Sequence, residues 1–242
     1  MAEMRQLHVY DCAPTEVMPM RVNLATILVV SGLAVALVVT VPAHAEPETC
    51  PAVCDQIPNT AWIRPRAVPL DSAYNWPALA GVAVQTTGAE SPRFRFEDVC
   101  GSAPAQDARN SAVAARATVT HPDGQWQLQA LILHWRGDTA RGGAMATSVF
   151  ANAVAALRAC QRGAPEESPS ITTDEPVRMA AVISGPVVVH TYLVAHPASS
   201  TISELTLWES GPPQVPWPVL TDDPVLNALA APLCDAYIAS CP

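Results

Sequence analysis

Lysine is absent from this sequence of 242 residues, and all thirteen residues counted as Lys or Arg are arginine. Charge of either sign is scarce, at 14% of the chain, and the formal net charge is -9. A surface of that sign repels phosphate backbones, so a nucleic-acid partner is not expected. Phenylalanine is rare as well, with three residues against six tryptophans and 24 prolines. The length allows one ordinary domain with an appendage and does not force a second core.

A long hydrophobic run occurs near the N-terminus, from Leu24 to Val41, behind the short stretch Met20-Arg21-Val22-Asn23. It ends in Pro42-Ala43-His44-Ala45 ahead of an acidic, proline-rich segment. That order is the basic, apolar and Ala-x-Ala pattern of a cleavable secretory leader, with no lipobox cysteine after the small residues. Met20 makes a cleaner start than Met1. The rival reading is an uncleaved anchor over residues 24–41, since the run is at the lower edge of the roughly 17–25 residues that span a bilayer. On either reading residues 1–45 are extension and leader, residues 46–242 form one translocated domain, and membrane contact comes only through the leader.

Beyond the leader stand Cys50, Cys54, Cys100, Cys160, Cys234 and Cys241. An even set in an exported chain reads as three bridges. Cys234 and Cys241 on one continuing helix would lie about 10 Å apart along its axis, too far to join each other. The working expectation ties the pair Cys50 and Cys54 to the pair Cys234 and Cys241, and Cys100 to Cys160. Cys50-Pro-Ala-Val-Cys54 lacks the two-residue spacing of a zinc knuckle or redox pair, so neither a metal nor any other cofactor is expected.

Residues 46–80 carry Pro51, Pro58, Pro65 and Pro69 with Trp62 and Trp76 among them, which excludes a helix and predicts an arm lying on the domain. Residues 81–87 read as a short strand. Arg93-Phe94-Arg95-Phe96-Glu97 alternates, which predicts a strand with both phenylalanines inward and Arg93, Arg95 and Glu97 outward. His121-Pro122-Asp123-Gly124 is a turn between strands over residues 112–120 and 125–136. Met145, Val149, Ala153, Ala156 and Cys160 recur at helical spacing, and Gly163 stops that helix. Residues 164–176 read as a surface loop. Strands follow over 177–184, 187–196 and 201–209. In the last helix, Asp223 caps, Pro224 takes the first position, and Val225, Leu226, Leu229, Leu233 and Tyr237 form the buried stripe. The sum is an α+β fold, an antiparallel sheet covered on one face by two helices, with a proline-rich N-terminal arm and disulfide staples.

The arginine-only basicity and the alanine and proline bias resemble those of a GC-rich actinobacterial genome. With it, the stretch from Trp126 to Cys160, an amphipathic strand, a loop and then a helix bearing Phe150 and Leu157-Arg158-Ala159-Cys160, resembles the extracellular sensor domain of mycobacterial receptor serine/threonine kinases and their exported relatives. The likeness is architectural and covers residues 112–241. It implies ligand sensing in a cleft beside the sheet and carries over no catalytic residues. The chain departs from that family in Cys50 and Cys54, in a third cysteine pair and in having no kinase domain.

Hidden chemistry has few places to reside. His190 and His196 share a strand face but are about 20 Å apart, too far for a common metal. His134 and His190 could meet on neighbouring strands with Ser184 and Asp138, although Val182-Ile183-Ser184-Gly185-Pro186 lacks the glycine of a nucleophile elbow. Residues 137–144 have the outer glycine spacing of a phosphate loop, but Gly143 and Ala144 stand where its lysine and hydroxyl would be. The first expectation is therefore a non-catalytic sensor-like or binding domain for a small molecule, glycan or envelope protein. Tryptophans gathered around a concavity would mark its ligand site. The alternatives are a secreted hydrolase using His134 or His190, and a structural partner of another envelope protein, which a large apolar patch would mark.

Overall fold

A computed structural model of the chain describes residues 56–86, 92–163, 169–209 and 211–237, all belonging to one compact unit. The leader with the candidate anchor 24–41, together with Cys50, Cys54 and Cys241, lies outside them.

Seven strands form one sheet: β1 (Ala83–Gln85), β2 (Val113–Val119), β3 (Gln127–His134), β4 (Ser170–Asp174), β5 (Arg178–Ser184), β6 (Val188–His196) and β7 (Thr201–Glu209). Their order is β1-β2-β3-β7-β6-β5-β4, and every neighbouring pair is antiparallel. The turn at residues 121–124 closes as its sequence predicts: Gln125 N donates to the Pro122 carbonyl at 3.2 Å, and Gly124 takes a φ of 74°. β4 falls within the segment read as a loop. It pairs with β5 through a register shift between Ile171 and Thr173, and its half-buried edge position demands no apolar run to announce it.

The two long helices are α4 (Thr139–Gly163) and α5 (Asp222–Ala236). They cover opposite faces of the sheet, not the single face expected. Alternation along the central strands dictates this, because β3, β6 and β7 are apolar on both sides. Leu131, Leu133, Leu193 and Ile202 pack with Val149, Phe150, Ala153 and Leu157 of α4. Leu128, Ile132, Tyr192, Leu205 and Leu207 pack with Val225, Leu226, Leu229 and Leu233 of α5. A sheet buried on both faces reads as near-continuous hydrophobic strands. Although α4 is long and apolar enough to cross a membrane by composition, its apolar stripe is committed to the sheet. At the start of α5, Thr221 takes the N-cap position in place of Asp223, with no side-chain cap. Both aspartates are drawn to the sheet edge, where Thr173 donates to Asp222 and Arg178 pairs with Asp223.

Gly142 and Gly143 lie inside the first turns of α4, not in a loop before it. They bring the helix against residues 197–200: a Cβ on Gly143 would sit 2.6 Å from the Pro197 carbonyl oxygen, and one on Gly142 2.4 Å from Ser200 Oγ. The glycines serve close packing of a helix on a loop, and the phosphate-loop spacing is incidental.

The alternating stretch at residues 93–97 is not a strand. Arg95–Val99 forms a short helix, α3, with Phe94 at its N-cap. Glu97 turns inward, where its carboxylate accepts from the Phe94 N–H at 3.0 Å and from Arg109 Nη1 at 2.7 Å. Arg109 also binds Asp107 and is 1% exposed at its side chain, so the interior ion pair decides the conformation over the alternation. Phe94 and Phe96 are both buried, as expected, but on a helical turn beneath α4.

The arm is more than a strap. Single helical turns occur at Asn59–Ala61, Pro65–Ala67, Asp71–Tyr74 (α1) and Leu79–Val82 (α2). Proline is compatible with the first position of such a turn, which is where Pro65 stands. Ile57, Trp62, Ile63, Val68, Leu70, Trp76 and Leu79 are buried in the same core as α5, so residues 57–79 complete that layer.

Cys100, at the end of α3, is joined to Cys160 on α4, with Cα atoms 5.7 Å apart and 60 residues between them in sequence. Cys234 on α5 is also disulfide-bonded.

Candidate functional site

The histidines named for a hydrolase do not meet. β7 lies between β3 and β6, with His134 opposite Thr201 and His190 opposite Leu207. Six positions along a strand separate them by about 20 Å. His134 is 3.1 Å from Thr201 Oγ1 and stacks on Tyr237 at 4.3 Å, and its burial lowers its pKa. His190 stacks on Trp217 instead, and burial pushes its pKa down to about 4. Ser184 is exposed at the end of β5, and Asp138 accepts from the Arg141 N–H at the start of α4. The residues proposed as a Ser-His-Asp set thus occupy separate places.

A serine and histidine that sequence reasoning missed do pair. Ser199 Oγ is 2.7 Å from His196 Nδ1, three residues apart around the turn that links β6 to β7. Ser199 is only 3% exposed, and its hydroxyl also donates to the His196 carbonyl. It closes a turn, whereas a nucleophile must reach a substrate. The His196 Nε2 is 3.8 Å from the sulfur of Cys234, which is already in a disulfide.

The tryptophans do not ring a concavity. Trp76, Trp126 and Trp135 are buried, and their indole N–H groups donate to the carbonyls of Pro69, Val215 and Ala108, each at 2.8 Å. Trp208 is half-buried beneath the Arg95 guanidinium, and Trp217 is covered by His190. These rings are core anchors whose polar edge finds a backbone partner, as buried indoles generally do. Trp62, itself 6% exposed, lines the edge of an open space.

That space is a groove between the arm and α5, of about 480 Å³. Ala228, Ala231, Pro232 and Asp235 have the i, i+3, i+4, i+7 spacing that puts them along one face of α5. Trp62 and Ala67 contribute apolar surface from the arm, while Asn59, Thr60 and Arg64 contribute polar groups. Small side chains on the helix are what leave room here. The volume is within the range of small-molecule sites, and the mixture of an apolar floor with a few polar groups is their usual chemistry.

A second concavity, between β4 and the start of α5, is acidic, with Asp174, Glu175, Asp222 and Asp223 around it. Its carboxylates are already engaged: Arg178 takes Glu175 and Asp223, Arg158 takes Asp174, and the Thr173 hydroxyl takes Asp222. Among the described residues no three His, Cys, Asp or Glu side chains gather as a metal site requires. The large apolar side chains left exposed among them are Val82, Val84 and Val219, ordinary for a surface.

None of the residues lining the arm groove was singled out from sequence as a site, except Trp62 among the tryptophans. The spacing of Ala228, Ala231 and Asp235 on the last helix was the available signal, and it has meaning only once the arm is known to fold over that helix. Comparison with models of protein families and with curated proteins finds no match to this chain.

Proposed function

We propose that the chain is an exported, non-catalytic binding domain of an actinobacterial cell envelope, sensor-like in its architecture, that takes a small ligand in the groove between its arm and α5. The observation that carries this reading is the groove itself, an open concavity of about 480 Å³ with an apolar floor and uncommitted polar groups. The bridges at Cys100–Cys160 and at Cys234 support an oxidising compartment, since cytosolic thiols are kept reduced. The leader-like run at residues 24–41 and the resemblance to the sensor domains of mycobacterial receptor kinases point the same way. The separation of His134 from His190 counts against the hydrolase.

Thermal-shift screening of the purified domain against amino acids, short peptides and monosaccharides tests the reading, with Ala231→Trp as a variant that fills the groove from an exposed helix position. The expected result is a compound that raises the Tm of the parent and leaves that of Ala231→Trp unchanged. Silence across the panel, or stabilisation that survives the filled groove, overturns it.

A further inference from the structure

Resting on the binding reading above, we propose that the groove takes a short zwitterionic peptide, with its carboxylate held by Arg64 and its ammonium by Asp235. Both side chains belong to exposed residues and line the same groove, one from the arm and one from α5. Among the described residues no ion pair joins them to each other or to a third group, whereas Arg93, Arg109, Arg158 and Arg178 are each neutralised by a nearby carboxylate. A guanidinium and a carboxylate that line one groove without pairing to each other complement a ligand that carries both charges at its ends.

The helical wall of the groove is long enough for two or three residues. From Ala228 to Asp235 the helical face runs about 10 Å at a rise of 1.5 Å per residue. An extended peptide covers that length in about three residues. Ala228, Ala231 and Pro232 leave shallow room for aliphatic side chains, and Thr60 and Asn59 offer hydrogen bonds to a peptide group. The chain's charge of -9 opposes a purely anionic ligand, but a zwitterion has no net charge for that field to act on. A glycan fits less well, because among the described residues Trp62 is the sole aromatic in the lining and is 6% exposed, too little face for a sugar to stack on.

Calorimetric titration with dileucine, trileucine and their N-acetylated and C-amidated forms tests this. The free peptides are expected to bind, and each capped form to bind at least about tenfold more weakly, the loss of one charge-assisted hydrogen bond. Arg64→Gln should abolish the discrimination against the amide and keep that against the acetyl form. Asp235→Asn should do the reverse. Both positions are exposed, so the fold is retained, and circular dichroism verifies that. Capped forms binding as well as free ones, or variants that weaken all forms alike, overturn the assignment of the charges. If neither free peptide binds, the ligand class is wrong, while a different compound that stabilises the parent and not Ala231→Trp leaves the binding reading in place.

Discussion

His190 lies flat against Trp217, with ring centroids 3.6 Å apart and planes 5° from parallel. Trp126 tilts against both rings, so an ionisable side chain is enclosed by indoles.

That enclosure makes stability depend on acid. Burial holds the His190 pKa down at about 4, opposed in part by the charge of Asp222, whereas the unfolded chain protonates near 6.5. Between those values the unfolded state binds the extra proton, so stability falls as pH drops from about 6.5 to about 4 and levels off below. His134 and His196 are shifted down by burial too and add to the same slope. His190→Phe keeps a flat ring on Trp217 without the titration. Urea unfolding at several pH values should show a shallower acid slope for that variant; an unchanged slope would place the loss elsewhere.

Glu204 acts in the opposite direction. It is fully buried on the central strand β7, where one carboxyl oxygen accepts from the Arg95 N–H at 2.8 Å and from Thr206 at 3.2 Å. The other has no hydrogen-bond partner among the described residues. Burial, with the nearby charge of Glu97 adding to it, pushes its pKa up to about 8. The folded state therefore keeps a proton that the unfolded state releases near 4.5. The stability linked to that proton is fully present below about 4.5 and is lost as pH rises through 8, at up to about 1.4 kcal/mol per pH unit. Glu204→Gln keeps the acceptor and removes the titration, so its stability should stay flatter from pH 5 to pH 8 by the same urea measurement.

Much of the architecture was legible because its signals are local. β-Branched runs, the Pro122 to Gly124 turn and the helical stripe from Val149 to Leu157 each declare themselves within a few residues. Parity and the compartment predicted bridges, and the working pairing of Cys100 with Cys160 is the one the structure shows. What the sequence concealed depends on distant partners. Glu97 looks like the outer face of a strand until Arg109 is placed beside it, and residues 57–79 look like a strap until α5 is found beneath them. The helices were assigned to one face from the order of elements, although Leu131-Ile132-Leu133 carries apolar side chains toward both faces. The groove was hidden because its two walls are 166 residues apart in sequence, from Trp62 to Ala228.

The bridge between Cys100 and Cys160 ties α3 to α4 and closes a loop of 60 residues. Constraint of the unfolded chain gives such a loop about 4 kcal/mol in the entropic account, less any native strain. The double variant Cys100→Ala and Cys160→Ala should lose about 2–4 kcal/mol in urea unfolding and remain folded at 25 °C, since Phe94, Phe96 and Phe150 still fill the space between the two helices and the sheet. Equal stability of the variant would mean that residual structure in the unfolded chain, or strain in the native one, cancels that constraint.

Gly143 sets helix propensity against packing, and the two predict opposite signs. Alanine is the better helix former by about 1 kcal/mol at an interior position, so Gly143→Ala would stabilise α4 in isolation. Here the added methyl meets the Pro197 carbonyl oxygen at 2.6 Å and its carbon at 3.2 Å, which are backbone atoms with no rotamer to escape into. The residues after Pro197 are held as well, because Ser200 takes a left-handed φ of 54°, accepts from the Trp135 N–H and donates to the Thr139 carbonyl. Overpacking of that kind costs about 1–3 kcal/mol, which outweighs the propensity gain. Gly143→Ala should therefore lower the Tm by several degrees. Gly163→Ala, at the end of the same helix with nothing among the described residues within 4 Å of the new carbon, should leave it nearly unchanged. If the two variants melt together, the helix does not rest on the loop after β6 as closely as these distances require.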